Sequence, residues 1–316
     1  MTVPLALGLV ASPMMVQAGD NAQLNGYLEG GYEHDSNVTV DELSSSSDQS
    51  DEAWIFDTGL EGVLTPGEAL NLTLGYSLSG SRYQSQDQFD QDIHLLSADL
   101  SYDFDPITLG SSYHYSHATL GSDSFLDYRR ASVYLGSLVG EHVYLLASLQ
   151  DKRKDFEDSE ARDANIQGIS LDAFWFFNRA GSHLLLGFDG DQEDAEADAF
   201  DNDLWRVRVA LVHKFTLAGE ENRLRLGWRY EDREYEEVTA VSGSEPTFTN
   251  PLTGRESETF TNQRADRAWV LEARWRVGLS EFFSVEPSLS HGNYRSNVDT
   301  ADYDKTVVGA TLRADF

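Results

Sequence analysis

The strongest constraint on this chain is a period-two alternation of apolar and polar side chains that recurs along nearly its whole length. Over 203–216, Trp205, Val207, Val209, Leu211, His213 and Phe215 fall on one face, opposite Arg206, Arg208, Ala210, Val212 and Lys214. Over 268–278, Trp269, Leu271, Ala273, Trp275 and Val277 alternate with Val270, Glu272, Arg274, Arg276 and Gly278. Over 93–104, Leu96, Ala98, Leu100, Tyr102 and Phe104 alternate with Ser97, Asp99, Ser101 and Asp103. A strand points successive side chains to opposite sides, so the pattern specifies strands with one apolar face and one wet face. No stretch keeps a capped 3.6-residue period, and none offers the ~18 consecutive apolar residues of a spanning helix.

Fourteen such segments are predicted, near 23–35, 52–65, 69–84, 92–104, 107–118, 125–138, 142–153, 164–178, 182–190, 203–216, 222–235, 264–279, 282–294 and 303–316. Their connections alternate in length. Short ones carry turn residues: Pro66-Gly67, Asp105-Pro106, Val139-Gly140-Glu141, Asn178 to Gly181, Ala218-Gly219-Glu220 and Ser280-Glu281. Long polar ones fall at 36–51, 85–91, 119–124, 154–163, 191–202, 236–263 and 295–302. An even strand number with short turns alternating with long loops is the layout of a transmembrane antiparallel up-and-down β-barrel, so the expected fold class is all-β. Soluble sandwiches seldom sort their loops by length in this way.

A mean hydropathy of −0.42 is compatible with that fold, because only half of each barrel strand meets lipid. The 54 acidic against 23 basic side chains argue against nucleic acid, whose phosphates need a basic face. Zero cysteine removes disulfides, thiolate zinc sites and cysteine nucleophiles, and suits passage through an oxidising periplasm. Residues 3–16 form an apolar stretch, and Val16-Gln17-Ala18 fits a leader-cleavage site, so residues 1–18 are expected to be a signal peptide and 19–316 the barrel. With the chain entering from the periplasm, the long acidic loops face the cell exterior. Fourteen aromatic residues, among them Trp54, Tyr102, Trp175, Trp205, Trp228 and Trp269, fall mostly towards strand ends on the apolar face, where interfacial girdles belong.

Fourteen strands about 4.8 Å apart and tilted about 40° enclose a cylinder of roughly 14 Å radius, too wide for wall side chains to fill. The loop at 236–263, with Gly243, Pro246, Pro251 and Gly254, is the expected constriction. Lumen-facing arginines are expected at Arg206, Arg208, Arg223, Arg225, Arg229, Arg274, Arg276 and Arg313. Carboxylates of the first half are expected to face them from Glu29, Asp57, Glu61, Asp99, Asp103 and Asp172. Two readings of these rows stand side by side: a transverse field that selects solutes, or neutralisation along neighbouring strands. The acidic runs 33–52 and 189–203 read as exposed loops, either solvated or holding divalent cations that bridge lipopolysaccharide.

No catalytic constellation emerges. His114 and His117 lie near Ser112, Ser116 and Asp123, a proximity expected by chance. His94, His183 and His213 are expected near strand ends on the lipid face. No G-x-S-x-G elbow, H-E-x-x-H helix, phosphate loop or EF-hand is present, so no enzyme, metal or cofactor is expected.

The apolar face Val308, Ala310, Leu312, Ala314 and terminal Phe316 resembles the last strand of Gram-negative outer-membrane proteins, whose final aromatic is read by the barrel-insertion machinery. Gly278-Leu279-Ser280, Asn293 to Asn297, Tyr303-Asp304-Lys305 and Phe316 also resemble the end of the surface lipoprotein assembly modifier family. Gly31 to Val38, with its Asp35-Ser36-Asn37, resembles that family's first strand. The resemblance implies a barrel that helps deliver a lipoprotein or other protein to the cell surface. Many members carry an N-terminal domain of tetratricopeptide repeats. Here the first strand begins by Leu24, so the expectation is a barrel without them. Two other functions fit the same residues: a passive porin for small solutes, and a structural or adhesive barrel. Expected partners are outer-membrane lipid and lipopolysaccharide, the insertion machinery, and a client lipoprotein or a small solute.

Overall fold

A computed structural model describes residues 16–19, 21–43, 45–236 and 264–316. Fourteen long strands form one closed, entirely antiparallel barrel in which each strand pairs with its sequence neighbours. They are β1 Ala22–Asp35, β2 Asp51–Leu64, β3 Leu70–Tyr83, β4 Gln91–Asp103 and β5 Ile107–Leu120. Next come β6 Asp123–Val139, β7 Val143–Phe156, β8 Ala164–Phe177, β9 Ser182–Ala195 and β10 Asn202–Leu217. The last are β11 Glu220–Tyr235, β12 Ala265–Gly278, β13 Phe283–Ser296 and β14 Tyr303–Asp315.

β1 pairs with β2 on one side and β14 on the other, closing the sheet. Gly26 and Phe316 complete that seam with two backbone hydrogen bonds, Gly26 N–H to Phe316 O at 2.7 Å and Phe316 N–H to Gly26 O at 2.9 Å. The Phe316 ring lies where a Cβ at position 26 would stand, so the terminal aromatic needs glycine beneath it. A four-residue strand, Val16–Gly19, runs antiparallel to the start of β1, with Val16 opposite Leu24. The expected cleavage point after Ala18 falls within it, and residues 1–15 of the expected leader lie outside the described residues.

The alternation sorts as the sequence predicts. Leu28, Trp54, Leu96, Leu149, Trp175, Trp205, Leu271 and Leu312 stand exposed on the outer face. Their polar neighbours in sequence line the lumen. Three departures have physical causes. First, β9 runs to Ala195 rather than 190, because its inward carboxylates Asp189, Asp191 and Glu193 meet cations across the ladder. The acidic run 189–203 is therefore half barrel wall. Second, the polar stretch 119–124 is no long loop. β5 and β6 join through Gly121 and Ser122, whose φ angles of 59° and 79° form the tight left-handed turn favoured between antiparallel strands. Third, the β12–β13 register stops at Arg274–Ser288 and resumes at Val277–Val285. Pro287 sits in the gap, and having no N–H it cannot supply a ladder bond.

Four long connections share one device. Each contains a single 3-10 turn, Asp87–Phe89, Glu160–Arg162, Asp198–Phe200 or Asp299–Ala301, followed at once by an aspartate. That carboxylate turns back to accept the N–H of a residue at the end of the preceding strand. Asp90 takes Tyr83 at 2.7 Å, Asp163 takes Phe156 at 2.6 Å, Asp201 takes Ala195 at 2.7 Å and Asp302 takes Ser296 at 3.4 Å. Much of the loop acidity therefore serves to close loops.

Candidate functional site

The loop between β1 and β2 is a hairpin that crosses the long-loop mouth of the barrel. Asp35-Ser36-Asn37 launches it. Asp35 Oδ1 accepts the Asn37 N–H at 3.0 Å, turning the chain inwards as β1 ends. Ser36 N–H reaches the Thr306 carbonyl at 2.9 Å, and Thr306 N–H reaches Ser36 Oγ at 2.8 Å, tying the root to β14. Asn37 Oδ1 accepts the Ser46 hydroxyl at 2.8 Å and the Asp48 N–H at 3.1 Å, holding the two arms together. Thr39–Val40 then pairs with Ser45–Ser46 around a 3-10 turn, Asp41–Leu43.

From Ser36 to Leu43 is seven residues, about 23 Å when extended, comparable to the free width of a fourteen-stranded lumen. The tip meets the opposite wall. Lys154 of β7 lies 3.5 Å from the Glu42 carboxylate, and Arg162 donates to the Glu42 and Leu43 carbonyls at 3.0 and 3.4 Å. Burial pushes the Arg162 guanidinium down to about 10, so it remains a cation at neutral pH. At the root, Lys305 of β14 bonds Thr39 Oγ1 at 2.8 Å and the Asp35 carboxylate at 2.9 Å.

Beneath and beside the hairpin lies the main apolar cluster: Val38, Val40, Leu43, Phe89, Ala118, Leu126 and Phe156. Val38, Leu43 and Phe89 are 0%, 2% and 1% exposed, so water is excluded from this part of the mouth. Each such side chain contributes about 1.5–3 kcal/mol on burial. Val38, Val40 and Leu43 were the sequence signal for this plug, three apolar residues in a stretch read as a polar loop. Residues 237–263, which include nearly all of the segment expected to constrict the lumen, lie outside the described residues.

Below the plug the lumen wall is charged, and the expected arginines and carboxylates fall on the strand face opposite the exposed Trp205, Leu271 and Leu312. Most arginines are neutralised by neighbouring strands. Arg206 pairs with Glu231 at 2.9 Å, and Arg229 meets the same carboxylate at 2.7 Å. Arg208 bridges Asp189 at 2.8 Å and Asp172 at 3.0 Å. Arg276 pairs with Glu286 at 3.0 Å, and Arg313 with Glu29 at 3.1 Å and Asp315 at 2.8 Å. Lys152–Asp191 at 2.6 Å and Lys154–Glu193 at 2.9 Å extend the network across β7 and β9. Asp191 and Glu193 fall in the run 189–203 expected as an exposed loop, and neither Lys152 nor Lys154 is among the expected lumen residues.

On the other side, Asp57 accepts the Tyr27 hydroxyl and Asp99 the Tyr134 hydroxyl, both at 2.8 Å. Asp103 accepts the Asp105 N–H at 3.0 Å, and Glu61 faces the lumen between Asn25 and Gly75. Of the eight expected arginines, three stand apart. Arg223, Arg225 and Arg274 have no ion-paired carboxylate among the described residues, and Arg274 is exposed although it points inwards. The wall at β11 and β12 thus carries more guanidinium than carboxylate, with Glu272 and Glu286 set among its cations.

His114 faces the lumen, whereas His117 lies on the outer face with Asp127 at 2.7 Å. Ser112 and Ser116 also face inwards, and Ser112 bonds Ser132 at 2.6 Å. His94 and His213 are on the outer face as predicted, bonded to Tyr76 and Ser182. His183 is not. It pairs in register with the buried, inward Val212 and packs between Phe174 and Phe176 on the lumen side. Leu186 and Phe188 take the outer face of β9, which puts odd positions inside and reverses the expected face of His183.

Comparisons agree with this architecture. The barrel is similar to an anion-selective porin from Comamonas acidovorans, with 11% identity and a TM-score of 0.51 over 93% of this chain and 99% of that one. It is similar to OmpT of Vibrio cholerae in its trimer form, with 10% identity and a TM-score of 0.53 over 94% and 100% of the two chains. Pseudomonas putida OprB at high pH gives 9% identity and a TM-score of 0.52, covering 94% of each chain. At such identities the likeness is one of fold. No curated protein matches the sequence. The family model for surface lipoprotein assembly modifiers matches residues 29–316.

Proposed function

The chain belongs to the surface lipoprotein assembly modifier family, and from that premise we propose that it helps deliver a client lipoprotein or other protein to the cell surface. The observation that carries this reading is the family match over residues 29–316, which spans the hairpin and all fourteen strands bar the start of β1. The Asp35-Ser36-Asn37 sequence that resembles the family's first strand builds the root of the hairpin. A mouth crossed by an apolar, ion-paired hairpin favours an occluded barrel over a freely conducting one. The exposed Arg274 is what favours the second reading, a charged pore for small solutes.

In this proposal residues 1–18 are a leader, both barrel ends of the chain lie on the periplasmic side, and the hairpin faces the exterior. Phe316 is the residue engaged by the insertion machinery, lipopolysaccharide surrounds the long-loop rim, and no catalytic step is involved. Deletion of the gene tests the export reading. Surface labelling of intact cells should lose a client, encoded beside this gene, whose total amount is unchanged. An unaltered surface proteome, together with stepwise conductance of the purified barrel in planar bilayers, replaces this reading with the pore.

A further inference from the structure

At β11 and β12 four lumen-facing arginines stand together and outnumber the carboxylates beside them, Glu272 and Glu286. Arg223 faces Arg276, and Arg225 faces Arg274, directly across the β11–β12 ladder. Like charges placed opposite each other in a sheet repel. On the far side of β11, Lys214 lies opposite Arg223, adding a third cation to the rank. Glu286 compensates Arg276 at 3.0 Å and Glu221 compensates Lys214 at 3.3 Å. Arg223, Arg225 and Arg274 keep no ion-paired carboxylate among the described residues, in a chain whose formal charge is −31.

These arginines stand three to five residues from the turns that close β10–β11 and β12–β13, in the half of the lumen away from the hairpin. Beside them Ala210 and Gly227 pair across β10 and β11, and the Glu272 side chain lies over Gly227. The two ranks are two residues apart along each strand, about 6.6 Å. An extended polypeptide with a carboxylate at every second residue repeats at that same interval, so its side chains match both ranks at once. A guanidinium offers paired donors to each carboxylate.

We propose that Arg223, Arg225, Arg274 and Arg276 form a binding site for an extended acidic polypeptide segment entering from the short-turn end of the barrel. This deepens the export reading and rests on it, the segment belonging to the client.

The test uses the full-length barrel in detergent micelles and a fluorescent eight-residue peptide of alternating Glu and Ser, with Gln-Ser and Lys-Ser peptides as comparators. Anisotropy titration should give binding of the Glu peptide only, weakening as salt rises. Arg225→Gln with Arg274→Gln should lower its affinity tenfold or more. Arg129→Gln with Arg153→Gln removes equal charge from the outer face and should change it less than twofold. Arg225→Glu with Arg274→Glu should exchange preference to the Lys peptide, a gain that a misfolded barrel cannot show. Equal binding of Glu and Gln peptides, equal loss in the two glutamine pairs, or full competition by low-millimolar inorganic phosphate overturns the proposal. Any of these alongside loss of a surface client on deletion leaves export standing and removes only this site.

Discussion

Lys154 meets Glu42 at 3.5 Å, joining a strand on one side of the barrel to the tip of a hairpin launched from the other. Both side chains are almost buried, at 12% and 13% exposure, so the pair is screened little by salt. Arg162 adds two donors to the same tip. Leu43→Ala removes a buried leucine at a cost of about 2–5 kcal/mol, and Arg162→Ala adds about 1.5–3 kcal/mol per lost charged hydrogen bond. The double variant should therefore release the hairpin. Planar bilayers should show openings at least ten times more frequent than for the unaltered protein, and an unchanged record refutes the plug.

The aspartates after the 3-10 turns make a second prediction. Asp163→Ala orphans the Phe156 N–H, now bonded at 2.6 Å, and should cost about 1–3 kcal/mol. The effect is expected as faster proteolysis of the β7–β8 connection, with the same outcome for Asp201→Ala between β9 and β10. Glu234, an exposed carboxylate with no bond among the described residues, serves as the control and should have no such effect.

Lys152 and Asp191 are about nine-tenths buried and lie 2.6 Å apart in the lumen wall. Asp191→Leu alone strands a lysine and should destabilise by about 3 kcal/mol. Adding Lys152→Met should recover most of that loss, measured by urea-dependent unfolding in lipid vesicles. A double variant as unstable as the single one disproves the pairing.

At the seam, Gly26→Val drives a side chain into the Phe316 ring. The folded, fast-migrating form seen in unheated electrophoresis should fall at least severalfold. Gly26→Val combined with Phe316→Ala should restore it in part, because the collision is relieved while the backbone bonds remain available.

Pro287→Val restores an N–H at the gap between β12 and β13. Hydrogen exchange around Trp275 and Arg276 should slow by about tenfold, in line with one added bond of roughly 1 kcal/mol. Exchange that stays fast assigns the gap to something other than the proline.

The barrel itself was written locally. Strand number, the outward faces of Trp205, Leu271 and Leu312, and the inward turn of their charged neighbours follow from period two, because lipid and water lie on opposite sides of a single strand. The errors came where local chemistry was ambiguous. Asp189, Asp191 and Glu193 look like loop residues until Lys152, Lys154 and Arg208 are brought beside them. His183 lies inside because its neighbours Leu186 and Phe188 occupy the outer face of β9. Whether the rows of charge oppose or neutralise each other had no answer in the sequence, and the register gave a divided one: Arg206, Arg208 and Arg276 are paired, whereas Arg225 and Arg274 are not.

The hairpin shows where the division lies. Alternation made the wall of the barrel because each strand needs only its own two faces and its neighbours. What blocks the mouth depends on Lys305, Lys154 and Arg162, which contact residues 35–43 from more than 100 positions away in the chain. Three apolar side chains, Val38, Val40 and Leu43, gain from burial only after the barrel has closed and placed Phe89, Leu126 and Phe156 around them. Sequence alone determined a fourteen-stranded membrane barrel. Closure of that barrel decided what fills its mouth, because the groups that hold the hairpin meet only there.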